Sequence, residues 1–155
     1  MSKTLILNGA QPYTFAPGGL NATLAKRARH RLEAQGHEVR LTTVAEGHDE
    51  EDEVETYRWA DMVIMQFPVN WMEVPRSFEK YRGGVYTAGM DRRLSVWDGR
   101  TADAPGAPER QIRRHGSAAE YWAIDVFKNP DIEADLARFD AHLDNVSAES
   151  DHVAA

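Results

Sequence analysis

The chain of 155 residues contains no cysteine. That excludes disulfides, a thiolate nucleophile, and zinc or iron–sulfur sites built on sulfur ligands. No apolar run approaches the length needed to cross a bilayer. Positive charge is scarce: 18 Lys and Arg stand against 25 Asp and Glu, for a formal net charge of -7. A general affinity for nucleic acid or an anionic membrane surface is therefore not expected. Lys3 leads straight into an apolar strand, with no signal-peptide core or cleavage site, so the expected compartment is the cytoplasm. Familiar catalytic signatures are missing too. There is no G-x-G-x-x-G and no P-loop. Ser77, Ser95 and Ser117 lie outside any G-x-S-x-G elbow. The six histidines make no i, i+4 pair with a nearby acid, so no metal site is expected. With no acid–base pair in view either, the chemistry is expected to come from a bound cofactor that the protein holds and orients.

Hydrophobic residues make up 42% of the chain, enough for one compact core, and no linker or repeat divides it. The expected organisation is a single domain over 1–145, followed by a flexible tail over 146–155. Thr4-Leu5-Ile6-Leu7 is apolar on both faces, as a strand buried inside a parallel sheet must be. It breaks at Asn8-Gly9 into a loop, and Gly18-Gly19 then opens a helix in which Leu20, Leu24, Ala28 and Leu32 recur at helical spacing. Gln35-Gly36-His37 ends that helix, and Glu38 to Val44 alternates as an edge strand does. Strand, helix and strand in this order form a right-handed βαβ unit.

The acidic stretch from Glu46 to Glu55 reads as a solvated loop entering a helix, because carboxylates favour a helix N-terminus. It lacks the alternation and turn glycine of a calcium loop. Met62 to Phe67 is the third strand, closed by the loop Pro68-Val69-Asn70-Trp71-Met72. Pro75 suits a helix N1 position, and Phe78, Tyr81 and Val85 then face inward. From Thr87 to about Ser117 the pattern dissolves. Tyr121 to Phe127 reads as the last strand, and a helix starting near Asn129-Pro130-Asp131 carries Ile132, Leu136, Phe139 and Leu143 on one face.

Two strand ends thus carry loops, and in a doubly wound sheet those ends meet at the switch point where ligands bind. A loop that hands backbone N–H groups to the start of a helix can hold a phosphate. A glycine pair is also what a flexible lead-in to a helix requires. Asn21 and Thr23, on the first turn, suit capping or phosphate donation. Trp71 and Met72 suit either a flat aromatic ligand or plain coverage of the core.

Taken together, Leu-Ile-Leu-Asn-Gly-Ala at 5–10, Gly-Gly-Leu-Asn-Ala-Thr-Leu at 18–24, Trp59-Ala60-Asp61, Gln66 to Met72 and Asp98-Gly99-Arg100-Thr101 form a specific set. The chain resembles the modulator of drug activity B group of flavodoxin-like NAD(P)H:quinone oxidoreductases. The likeness resumes at Tyr121, with Asp125-Val126, Lys128, Pro130-Asp131 and His142-Leu143. It implies an α/β fold: a flavodoxin-like, doubly wound parallel sheet in three α/β/α layers. It implies FAD as cofactor (FMN being the other flavin), NAD(P)H as co-substrate, a quinone as acceptor, a homodimer, and no catalytic side chain. By position, Pro17, Gly18, Gly19, Leu20, Asn21 and Thr23 would surround the FAD phosphates. Pro68, Val69, Asn70, Trp71 and Met72 would border the isoalloxazine ring.

The chain departs from the group in three places. Ala16 stands where the group has a serine, and His115 where it has a tyrosine. A whole strand–loop–helix unit, with its Thr-Trp-Asn-Ala loop, is missing between Ser117 and Tyr121. The strand at 121–127 is expected to take the vacant place, giving four strands in the order 2-1-3-4. Two other readings follow from these features: a non-catalytic binding or dimerisation module that has lost part of its flavin site, and a small FMN electron carrier.

Overall fold

The computed structural model describes residues 2–70, 73–92 and 132–153. Strand β1 (Lys3–Asn8) lies between β2 (Glu38–Thr43) and β3 (Met62–Gln66), and both neighbours run parallel to it. Four α-helices are described, α1 (Gly19–Ala34), α2 (Glu50–Trp59), α3 (Arg76–Arg92) and α4 (Ile132–Val153), together with a short 3-10 turn at Val44–Glu46. The observed order, β2-β1-β3, is the first part of the expected 2-1-3-4. The strand expected at 121–127 lies outside the described residues, as does the irregular stretch before it.

The register shows why the centre of β1, Leu5 to Leu7, had to be apolar. Ile6 faces Leu41 on one side and Ile64 on the other. Leu5 and Leu7 point to one face of the sheet, where they pack with Val54 and Tyr57 of α2 and Phe78, Tyr81 and Val85 of α3. Ile6 points to the opposite face, against Leu24, Ala25, Ala28 and Leu32 of α1 and Phe139 and Leu143 of α4. Helices therefore cover both faces, and the three expected layers are present. Each aliphatic side chain fully buried in this way contributes about 1.5–3 kcal/mol before entropic costs.

The acidic stretch does enter a helix as expected, but it is not solvated throughout: Glu46 closes the 3-10 turn (Val44–Glu46) and Glu53 is buried. Asp49 caps α2 by accepting from the backbone N–H groups of Glu51 and Asp52, at 2.9 and 3.1 Å, and four more acids follow in the first turn. Pro75 stands one residue outside α3 rather than at its first position, and its carbonyl accepts from the N–H groups of Phe78 and Glu79. The helix runs on to Arg92, well past Val85.

Residues 146–153, expected to be part of a flexible tail, are helical. Small polar residues do not stop a helix whose next turn still has a partner. Ser147 is buried, and its hydroxyl donates to the Gln35 side chain, at 3.1 Å, and to the Asp144 carbonyl. Polar contacts also carry α4 along α1: Arg27 pairs with Asp140, and Arg31 with Asp144 and Asp140.

Candidate functional site

The β1–α1 and β3–α3 loops lie at the carboxyl ends of neighbouring strands, as the switch-point reading requires. Gly9 marks the junction. Its N–H donates to the Gln66 carbonyl at 2.8 Å, tying the two strand ends together. A side chain at Gly9 would come within 2.7 Å of the Phe78 ring, so this glycine serves the packing of α3 and not a ligand.

Three side-chain amides complete the junction. Asn21 donates to Asn8 Oδ1 and to the Gln66 carbonyl, and Gln66 Nε2 donates back to Asn21 Oδ1 at 3.0 Å. Asn8 Oδ1 also accepts from the Ala10 N–H. Asn21 is buried, although it sits in the first turn of α1. Its side chain clamps helix to sheet, so what it can offer an anion is its backbone N–H. Thr23 is exposed, but its hydroxyl donates to the Gly19 carbonyl at 2.8 Å.

The start of α1 differs sharply from that of α2. Gly18 occupies the N-cap in the left-handed region, at φ 79°, with no side-chain cap, and no acid lies in the first turn. The first N–H groups of α1 thus lack the carboxylate that serves those of α2. A Cβ on Gly18 would come within 3.2 Å of Ala10, whereas one on Gly19 would meet nothing within 4 Å. Open space, uncapped donors and the absence of negative charge match what a phosphate requires. By this donor chemistry, the residues present fit a phosphate group. Pro17 is exposed and Leu20 half-buried against the second core cluster, so they border this space rather than donate to it.

On the facing loop, Pro68 and Asn70 are half-buried and Val69 is 58% exposed. Asn70 and Glu73 exchange both backbone hydrogen bonds, at 2.8 and 2.9 Å. Trp71 and Met72 lie outside the described residues. The β1–α1 loop has a matching brace, since Tyr13 and Ala16 also exchange both backbone hydrogen bonds. Between them, Phe15 stands 85% exposed, with its ring stacked on Tyr13 at 5.3 Å between centroids.

The sequence reading missed Asn8, Gln66, Tyr13 and Phe15. For the two amides the signal was a pair of polar residues closing otherwise apolar strands. For the aromatics it was two rings flanking a turn in a loop otherwise made of small residues and proline.

A second polar cluster lies on the α2–α3 side. The buried Glu53 carboxylate accepts from the Tyr81 hydroxyl at 2.5 Å and from the Thr42 hydroxyl at 3.0 Å. The His48 ring stands edge-on to Tyr81. Burial pushes the hydroxyl pKa values of Tyr57 and Tyr81 above the ordinary phenolic value. These groups join β2, α2 and α3.

The family described as having a flavodoxin-like fold matches residues 2–106. The chain belongs to that flavodoxin-like family. Among curated relatives, this flavodoxin-like chain is 41% identical over 103 residues to an uncharacterized protein of Schizosaccharomyces pombe. That match covers 66% of the chain and 52% of the relative, so the chain spans about half the length of that protein. It is 30% identical over 188 aligned positions to the NADPH:quinone oxidoreductase MdaB of Haemophilus influenzae, covering 92% of this chain and 97% of the relative. The second alignment is longer than the 155-residue chain, so part of that relative has no counterpart here. A solved Klebsiella pneumoniae structure aligns at 23% identity and TM-score 0.46, over 56% of this chain and 46% of that one.

Proposed function

We propose that this chain is an FAD-dependent NAD(P)H:quinone oxidoreductase, shortened relative to MdaB. The observation that carries the reading is the start of α1. There a left-handed Gly18, an open Gly19 and uncapped N–H groups adjoin the β3–α3 loop in a chain with a full-length quinone reductase relative. Bound flavin supplies hydride acceptance and donation, which explains why no nucleophile or acid–base pair is needed. In this reading the chain's own residues bind and orient. The backbone of Gly18, Gly19, Leu20 and Asn21 holds the phosphates, with Pro17 and Thr23 at the border. Pro68, Val69 and Asn70, with Trp71 and Met72, border the ring. The Asn8–Asn21–Gln66 amides hold the two loops in fixed relation. The resemblance adds a quinone as acceptor and a homodimer as assembly; the proposed compartment is the cytoplasm.

The test starts with the visible spectrum of the purified protein. FAD, NADPH and menadione are then added in turn. Flavin absorbance and quinone-dependent NADPH oxidation are expected. A colourless protein that neither binds flavin nor oxidises NADPH defeats the proposal. One observation favours a second reading, the non-catalytic module: part of the relative has no counterpart in this chain. Tight stoichiometric FAD binding with NADPH turnover excludes that reading.

A further inference from the structure

Tyr13 and Phe15 are unusual for the turn they flank and occupy. Tyr13 and Ala16 exchange both backbone hydrogen bonds, at 3.0 and 3.1 Å, leaving Thr14 and Phe15 as a two-residue turn. Turn positions are most often filled by Gly, Pro, Asn, Asp or Ser. Here the tip carries a large apolar ring, 85% exposed, where the fold itself requires none. The ring is not loose. It lies nearly parallel to the Tyr13 ring, with 14° between planes and 5.3 Å between centroids, within the range of favourable aromatic stacking. Phe15 therefore presents a braced aromatic surface to solvent.

The place of this surface matters. Phe15 is three residues before Gly18, a chain distance of at most about 10 Å, on the order of one nucleotide. A pyrophosphate held at the start of α1 would thus put its nucleoside within reach of Phe15. Purine rings stack on aromatic side chains through faces that need no hydrogen bond, and the outer face of a stacked pair suits this. We infer that the Tyr13–Phe15 pair is the adenine platform of the cofactor site, the feature that selects the dinucleotide FAD over FMN. The inference rests on the flavin reading above and names which part of the cofactor this loop recognises.

Calorimetric titration of the wild type and of a Tyr13→Ser, Phe15→Ser double variant with FAD and with FMN tests it. The double variant is expected to bind FAD about tenfold more weakly while its FMN affinity is unchanged. Phe15→Trp, which keeps a ring, is expected to retain the FAD affinity. Circular dichroism of each variant should match the wild type. Equal weakening toward both flavins overturns the inference. So does an unchanged FAD affinity, whether or not KM for NADPH rises, since a rise would assign the platform to the nicotinamide cofactor's adenine. A change in oligomeric state with no change in FAD affinity overturns it as well, by making the rings a contact between copies. A wild type that binds neither flavin defeats the functional proposal, and this inference with it.

Discussion

At Gly19 a side chain would meet open space, and the first turn of α1 carries no acidic residue. Gly19→Asp should therefore act in opposite directions on folding and on binding. A carboxylate in the first helical turn stabilises by about 0.5 kcal/mol through the helix dipole. The same charge beside a bound pyrophosphate should lower flavin affinity by more than about tenfold. Urea unfolding and flavin titration on one preparation read both effects, and a parallel loss of stability and affinity would contradict the site. Asn21→Ala should act on folding first. It strips Gln66 Nε2 of its acceptor and Asn8 Oδ1 of one of its two donors, and a polar group left unpaired away from water costs about 1–3 kcal/mol. The buried tyrosines make a prediction at high pH. Their folded pKa values are raised, so below the unfolded value, near 10, their contribution is fully present. As pH rises above that, the unfolded chain releases protons that the folded chain retains. Stability should then fall by about 1.4 kcal/mol per pH unit for each tyrosine. The urea midpoint between pH 9 and 11 measures this, and Tyr57→Phe should make the decline shallower.

Elements are joined by two kinds of contact, and α4 carries both. Phe139 and Leu143 pack under α1 with Leu24, Ala28 and Leu32, while Arg27 and Arg31 reach Asp140 and Asp144 along the outside. The apolar contact should dominate. Phe139→Ala is expected to cost about 3 kcal/mol, from lost burial and the cavity left behind. The joint change Asp140→Asn, Asp144→Asn should cost far less, because half-exposed ion pairs are screened and lose side-chain entropy. Its effect should shrink further in high salt. Hydrogen bonds from the guanidinium groups hold both aspartates below the usual carboxylate range. Their contribution is therefore present above the unfolded carboxylate pKa and lost as pH falls through the lowered folded values. The double Asn variant should show a correspondingly weaker loss of stability in acid. Thermal unfolding across pH and salt checks all of this.

Across the molecule, β1 is the axis to which everything else attaches. It pairs on both sides, and its side chains enter both core clusters. Amides of the most buried element open only with global unfolding. Hydrogen exchange should therefore be slowest at Leu5, Ile6 and Leu7 and faster in β2, which has half-buried side chains. Comparable protection in β2 would mean that its outer edge is covered by another element. The same arrangement puts the candidate site where three pieces of chain meet: the end of β1, the end of β3 and the first turn of α1. Burial of Asn21 between the two strand ends makes that meeting rigid.

Much of this was legible in the residues. The apolar run at 4–7, the spacing of Leu20, Leu24, Ala28 and Leu32, and the acids at 49–53 each state a local energetic need. A strand buried on both faces, an amphipathic helix and a charged helix start satisfy those needs. Periodicity alone therefore determined the βαβ order and the site's two loops. It could not decide where the amides of Asn8, Asn21 and Gln66 point, since hydrogen bonds between residues 13 and 45 apart leave no periodic trace. Nor could it show that 146–153 stay helical, because a polar turn is stable only when a neighbour such as Gln35 supplies its partner. The exposure of Phe15 belongs to the tertiary structure for the same reason. Sequence placed an aromatic in a loop, and only the Tyr13–Ala16 brace put it at the tip of a turn beside the start of α1.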